Sequence, residues 1–428
     1  MLGLKSRLLR CKAWPPSSAT AESLDPAKPI EEEQSPFYDP AHFYPAKLGE
    51  VLSGRYQIAT KLGHGARSTV WLARDLNQLK WLKDRYVAVK INATGTRENS
   101  SQHELDIHRH IAEANPRHKG WEFVRQLRDA FVLDGTSGYH VCLVFEPLRE
   151  PLGAYRTRFK NSIIPPIYFR IMLHMILNAL DYLHSECHLI HTDLNPNNIM
   201  VTLEDKLLLE IAAREEYEDP LPQKHLEDGR TIYLPRSNYG PPRRAAGLVE
   251  ITDFGLAVSG NEKNDGVIQA DMYRAPEVIL EKGYSYSADI WSLGAMMWDC
   301  LAGKELFHEV DEGDDYNEER HLAYMTALLG PPPKNMVQSG KPSSQFYDAD
   351  GNLQHPDLIP QNFNFEGTLS YIKGEEKQKF IDFARRMMKW DPNQRSLAKD
   401  MLDDPFLTMD VPSRADEIES NKKVSETN

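Results

Sequence analysis

His191-Thr192-Asp193-Leu194-Asn195-Pro196-Asn197-Asn198, followed further along by Asp253-Phe254-Gly255, is the stretch whose reading decides the fold. Hard divalent cations take oxygen ligands. Asn198 and Asp253 would supply two of them, and Asp193 would accept a proton from a hydroxyl. Taken singly, Asp-Phe-Gly is equally a turn and His-Thr-Asp a helix cap. Working outward toward the N-terminus, Gly63-His64-Gly65-Ala66-Arg67-Ser68-Thr69-Val70 is a Gly-x-Gly-x-x-Ser-x-Val turn between two strand-like runs. There the missing side chains let backbone N–H groups approach phosphate oxygens. A plain β-turn has the same letters, and a dinucleotide fold requires a helix, not a strand, after the glycines. Order is what raises the signal. Val87-Ala88-Val89-Lys90 puts a lysine on the third strand, and Glu104 lies on the next predicted helix, able to pair with it. Toward the C-terminus come Ala275-Pro276-Glu277, Asp289-Ile290-Trp291-Ser292-Leu293-Gly294 and Asp391-Pro392-Asn393-Gln394-Arg395. In this sequence of positions coincidence is negligible.

The patterning between these landmarks predicts a β part followed by a helical part. Residues 56–62, 69–74 and 86–91 read as an antiparallel meander, residues 101–114 as a helix, and residues 124–132 and 139–145 as further strands. After the Pro165-Pro166 start signal, Ile167, Ile171, Leu173, Ile176, Leu177, Leu180 and Leu183 recur at helical spacing. Residues 288–301 are apolar nearly all round and predict a central buried helix. Residues 203–247 read as an insert whose acidic half, 215–219, precedes a Pro-rich basic half, 236–244. Residues 15–45 are rich in Pro, Ser, Ala and Glu without apolar periodicity and, with the basic N-terminal residues before them, predict an unstructured arm over 1–45; the polar tail, 411–428, reads the same way.

Composition limits the function classes. The chain has 428 residues, 41% of them hydrophobic, enough for one large core or two moderate ones. A net charge of -13 argues against binding a phosphodiester backbone and favours basic partners or plain solubility. The four cysteines, Cys11, Cys142, Cys187 and Cys300, lack metal-ligand or disulfide spacing and read as inert thiols in a reducing compartment. No apolar run approaches the roughly 18 residues of a membrane helix. The expectation is therefore a soluble monomer of cytoplasm or nucleus, with no membrane or nucleic-acid contact. Lys5, Arg7, Arg10 and Lys12 read as a basic tail that loosely resembles a mitochondrial transit peptide.

Over roughly residues 55–408 these motifs resemble the protein kinase superfamily. More narrowly the chain resembles the SR-protein kinase family. That likeness rests on Tyr44-Pro45-Ala46-Lys47-Leu48-Gly49 leading into Gly54-Arg55-Tyr56, on Ser68-Thr69-Val70-Trp71-Leu72, on His191-Thr192-Asp193, on the insert before Asp253, and on residues 317–330. The resemblance implies a bilobal α+β fold: a small antiparallel β lobe with one main helix (46–148), then a larger, mainly helical lobe (149–410) that carries the insert. It also implies that ATP and Mg2+ are used. Asp193, Lys90 and Glu104 would be catalytic. Leu62, Gly63, His64, Gly65, Ser68, Val70, Ala88, Lys90, the Glu146 carbonyl and the Leu148 N–H would hold ATP, with Phe145 as gatekeeper, and Asn198 and Asp253 would hold the metal. Glu277 with Arg395, and Asp289 with the backbone near His191, would be structural.

The sequence departs from that pattern in places. Thr192 stands where many kinases have an arginine that receives an activation-loop phosphate, and only Ser259 and Tyr273 bear hydroxyls between Leu256 and Arg274. Activity independent of loop phosphorylation is the expectation. Asn195 replaces a lysine that contacts the γ-phosphate, and Ala270 replaces the threonine bonded to that lysine and to the catalytic aspartate. Losing one such donor costs roughly 2.7–4 kcal/mol. An active Ser/Thr kinase is expected; a nucleotide-binding pseudokinase scaffold is the alternative. Asp311, Glu312, Asp314, Asp315, Glu318 and Glu319 form an acidic run that reads either as solvated surface or as a docking patch for an Arg/Ser-rich protein substrate.

Overall fold

The computed structural model describes residues 10–36, 38–94, 100–241, 247–312, 315–338, 343–348 and 350–408. Lys5 and Arg7, the Arg243-Arg244 end of the insert, Asp314 and the tail after 411 lie outside the described residues. The chain divides into two compact units. One comprises residues up to 155 with 185–187 and 197–258; the other comprises 156–184, 188–196 and 259 onward.

The first unit is built on a six-stranded sheet. In chain order its strands are β1 (Val51–Leu52), β2 (Tyr56–Gly65), β3 (Ser68–Asp75), β4 (Tyr86–Asn92), β5 (Leu127–Gly135) and β6 (Gly138–Phe145), in the spatial order β1-β2-β3-β4-β6-β5. All neighbours are antiparallel; β1 to β4 form a meander, whereas the chain leaves β4 through a helix and returns so that β6, not β5, pairs with it. Strand alternation explains its two faces. Val87, Val89 and Ile91 turn to a cluster with Tyr56, Ile58, Trp71 and Val144, while Ala88 turns the other way, to Leu143, Phe145 and Leu105. Leu105 belongs to helix α1 (Ser100–Glu113), so the single main helix covers that second face. β5 starts later than the run 124–132 suggests. The Gln126 amide donates to the carbonyls of Trp121 and Val124, closing a turn there, and the ladder begins only at Leu127.

The expectation of an unstructured arm is corrected for the described part of residues 10–45. Trp14 N–H donates to Gln57 Oε1 at 2.8 Å, and Gln57 returns a bond to the Trp14 carbonyl. The indole lies under the Arg74 guanidinium and edge-on to Tyr217. The Leu24 N–H donates to the carbonyl of Gln223 in the insert, the Gln223 N–H donates to the Glu22 carbonyl, and Phe43 is buried. This segment needs no apolar period, because it adds itself to surfaces the sheet and insert already present. The insert too belongs to the first unit. It forms a helix, Leu207–Glu218, and a hairpin, Gln223–His225 with Thr231–Tyr233. Arg236 of its basic half bonds Glu216 and Glu215 of the acidic half and the Asp219 carbonyl.

The second unit is helical. Pro166–Asp181, Ser287–Leu301 and Gly374–Met387 are its longest helices besides Glu318–Leu329. Every residue from 288 to 301 is buried, as its uniform apolarity predicts. Arg395 meets Glu277 through two bonds of 2.6 and 2.7 Å, with both side chains shielded from water, and lies over the Trp291 ring. All four cysteines are unpaired, and three of them are buried. Among the described residues no helix is long and apolar enough to cross a membrane.

Candidate active site

In the first unit the alternation that buries Val89 and Ile91 on one face turns Lys90 to the other, toward α1. Lys90 Nζ donates to Glu104 Oε1 at 2.7 Å and to Asp253 Oδ1 at 3.0 Å. Glu104 is fixed from its other oxygen by the Asn92 amide, at 3.1 Å. Burial pulls the ammonium down, but the Asp253 and Glu104 carboxylates outweigh it and hold Lys90 above the ordinary lysine range. One helical turn on from Glu104, His108 is wedged between the Phe145 and Phe254 rings, 4.9 and 5.4 Å away. Burial, reinforced by the charges of Lys90 and Arg125, brings its imidazole down to about 3, so it packs there as a neutral ring.

Asp253 has a φ of 63°, a conformation rare outside glycine and held by its surroundings. The preceding Thr252 donates through both its N–H and its hydroxyl to the Asn198 carbonyl, at 2.9 and 3.1 Å. The two oxygen-bearing residues expected to hold a metal are therefore tied to one another through Thr252. Among the described residues no group of three His, Cys, Asp or Glu side chains could hold a metal. A hard cation at Asn198 and Asp253 would complete its shell with phosphate and water oxygens.

The glycine turn closes the β2–β3 hairpin, with Gly65 opposite Ser68. A Cβ added at Gly63 meets nothing within 4 Å, whereas one at Gly65 comes 3.1 Å from Ser68 Oγ. Packing therefore does not demand glycine at 63, and the open space over its backbone suits phosphate oxygens. Val70 stands opposite Lys90 and Ala88 opposite Phe145. Leu62 packs against two clusters, one with Leu72 and Tyr86, the other with Ala88 and Phe145. Glu146 is engaged by Lys206 of the insert. Beyond Leu148, Arg149 is almost wholly buried and bonds both oxygens of Glu204, at 2.8 and 2.9 Å, as well as the Gly240 carbonyl. The segment after Phe145 is thus stapled to both ends of the insert.

In the second unit Asp193 is set by a frame of main-chain bonds. Asp289 accepts the N–H groups of His191 and Thr192 at 2.8 and 3.0 Å and contacts His184. The Asp193 N–H donates to His191 Nδ1. Asn195 bends back so that its amide donates to the Asp193 carbonyl and to Oδ1, both at 3.0 Å. Thr192 is 2% exposed and has a φ of 69°, a strained setting for a β-branched residue.

Sequence reasoning missed Gln269, which also has a positive φ, of 68°. Its N–H donates to the Thr192 carbonyl, its amide to the Ala288 carbonyl and the Ser292 hydroxyl, and its Oε1 accepts the Ala275 N–H. A lone polar residue beside Ala270 carries no periodic signal that would have singled it out. The acidic run is dispersed. Asp311 and Asp315 are exposed on a two-residue hairpin, Asp311–Glu312 with Asp315–Tyr316. Glu318 is half-buried at the start of its helix, and Glu319 bonds His355 at 2.8 Å.

Residues 56–407 match the protein kinase domain. A serine/threonine protein kinase of Aspergillus fumigatus is 37% identical, over 94% of this chain and 98% of its own. The serine/threonine-protein kinase SRPK of Physarum polycephalum is 32% identical, over 89% and 92%. Human SRSF protein kinase 3 is 23% identical, over 88% and 90%. A crystal structure of a kinase domain superposes with a TM-score of 0.65 at 25% identity, covering 86% of this chain and 99% of that one. With its antiparallel sheet, main helix and helical second part, the chain belongs to the protein kinase family, as a serine/threonine protein kinase resembling the SR-protein kinases.

Proposed function

We propose that the protein transfers the γ-phosphate of ATP to serine or threonine hydroxyls of Arg/Ser-rich proteins, with Mg2+ as the metal, and needs no phosphate on its own activation loop. The observation that carries this reading is the Lys90 ammonium, gripped at 2.7 and 3.0 Å by Glu104 and Asp253. That arrangement orients a cation for the α- and β-phosphates. Leu62, Gly63, His64, Gly65, Ser68, Val70, Ala88, Glu146 and Leu148 would hold the nucleotide, and Asn198 with Asp253 the metal. When bound, the metal neutralises phosphate charge. Asp193 accepts the proton of the substrate hydroxyl, with its carboxylate steadied by the Asn195 amide.

Independence from loop phosphorylation is supported by the bonds around Gln269, which order the segment before Ala275 without any phosphate. The buried Thr192 offers no cation to receive one. Basic substrates are supported by the net charge of -13, by the exposed Asp311 and Asp315, and by the relatives, two of which bear SR-kinase names. A second reading, a nucleotide-binding scaffold without turnover, is favoured by the missing charge at Asn195 and the missing hydroxyl at Ala270.

Transfer of labelled γ-phosphate from ATP and magnesium to a peptide array separates the two readings, with Asp253→Ala as the blank. Arg/Ser peptides should be labelled well above the blank, and neutralising Asp311 and Asp315 should raise their KM. Signal equal to the blank on every peptide would reject catalysis. Labelling of acidic or neutral peptides alone would reject the substrate class.

A further inference from the structure

Lys61 lies on β2, two residues ahead of Gly63, and its side chain has 0% exposure. The ladder to β3 slips register on both sides of it, between Ile58 and Thr60 and again between Lys61 and Gly63. Irregularities of this kind turn a side chain out of the ordinary alternation of a strand. The buried ammonium is met from two distant parts of the chain. Glu32 of the N-terminal segment pairs with it directly, and Glu31 stands 3.6 Å away. From the insert, the Tyr233 carbonyl accepts from it at 3.0 Å. The Lys61 carbonyl in turn accepts the Arg236 N–H at 2.9 Å, so the insert holds this residue by both main chain and side chain. Glu31 extends the connection into the glycine turn: its carboxylate is 3.8 Å from His64 Nε2. Glu31 itself has a φ of 51°, a left-handed conformation that a glutamate keeps only where its surroundings fix it.

A buried ammonium stripped of its acceptors is strongly unfavourable. The strand, the N-terminal segment and the insert are therefore coupled through this one nitrogen. A charge-assisted bond is directional. Placed between two register slips and two residues ahead of Gly63, it bears on where the N–H groups of residues 63–65 point.

We propose that Lys61, gripped by Glu32 and the Tyr233 carbonyl, is a positioning residue for the glycine turn, through which the N-terminal segment and the insert set nucleotide affinity. The proposal rests on reading residues 63–65 as the phosphate-binding turn. The test uses the full chain as wild type, Glu32→Gln, and Glu32→Gln with Lys61→Met, each titrated with a fluorescent ATP analogue and magnesium and each melted thermally. Binding is measured at a temperature where each variant is folded. Glu32→Gln is expected to weaken analogue binding about ten- to a hundred-fold and to lower the melting temperature, while the KM for a protein substrate stays unchanged. The double variant removes the unpaired charge and is expected to recover melting temperature but not affinity, because methionine fills space without fixing direction. Recovery of affinity together with stability overturns the proposal, since Lys61 would then serve the fold alone. Wild-type affinity in Glu32→Gln overturns it as well. If the wild type itself fails to bind the analogue, the reading of the glycine turn fails, and this proposal falls with it.

Discussion

Asn195 keeps one half of what a lysine supplies at its position. It donates to the Asp193 carboxylate at 3.0 Å, which would orient the proposed proton acceptor, but as an amide it brings no positive charge. Ala270 is exposed, so a threonine there meets no packing obstacle. Asn195→Lys with Ala270→Thr should therefore raise kcat by up to roughly 10²–10³-fold, with the KM for ATP nearly constant, in steady-state assays. An unchanged kcat in the double variant would show that transfer is limited elsewhere. Asp299 gives a second prediction at this scale. Burial, with Glu305 adding to it, pushes its carboxyl up to about 7 despite the Tyr273 hydroxyl 3.0 Å away. A folded pKa above the unfolded value of about 3.9 means that the native state favours the protonated form. That contribution is complete below about pH 4 and is lost as pH rises through about 7. Asp299→Asn mimics the protonated form. Its melting temperature should match wild type most closely near pH 4 and exceed it increasingly up to about pH 7, a gap equivalent to at most about 4 kcal/mol. A gap that ignores pH would refute the assignment.

Among the elements, legibility followed period. Strands β2, β3, β4 and β6 and the helices Ser100–Glu113 and Ser287–Leu301 were readable because each buries a face, or its whole circumference, at a fixed spacing. Lys90 and Glu104 lie on two of those elements and Asp253 in the loop after Ile251, and fixed motifs had singled out all three. The N-terminal segment and the insert were opaque, since Trp14, Glu32 and Tyr233 act one at a time against surfaces made by other residues. Lys61 looked like any lysine on a strand, and only the register slips of β2 turn it inward. The Glu277–Arg395 pair shows the same asymmetry between motif and energy. Its residues stood out in sequence, yet their importance lies in joining the short helix Pro276–Ile279 to the chain near Trp291. Removing one partner strands a buried charge, so Glu277→Gln should cost about 3–5 kcal/mol in chemical denaturation. A loss below about 1 kcal/mol, the range of an exposed pair, would contradict the burial.

At the scale of the whole molecule, the first unit is assembled from three separate stretches of chain, ending at residue 258. Contacts between residues far apart in sequence close slowly, because the loop entropy is lost before the contact forms. Lys61 and Tyr233 are separated by 172 positions, which a ribosome adding about 5–20 residues per second covers in roughly 10–35 s. For that interval a nascent chain has made the glycine turn and its lysine but not the carbonyl that completes the grip. Until then the sheet also lacks the insert that pairs with its N-terminal segment. If Lys61 positions the glycine turn as proposed, the first unit gains its competence to take up nucleotide only once residue 233 has been synthesised, and that competence is timed by translation itself.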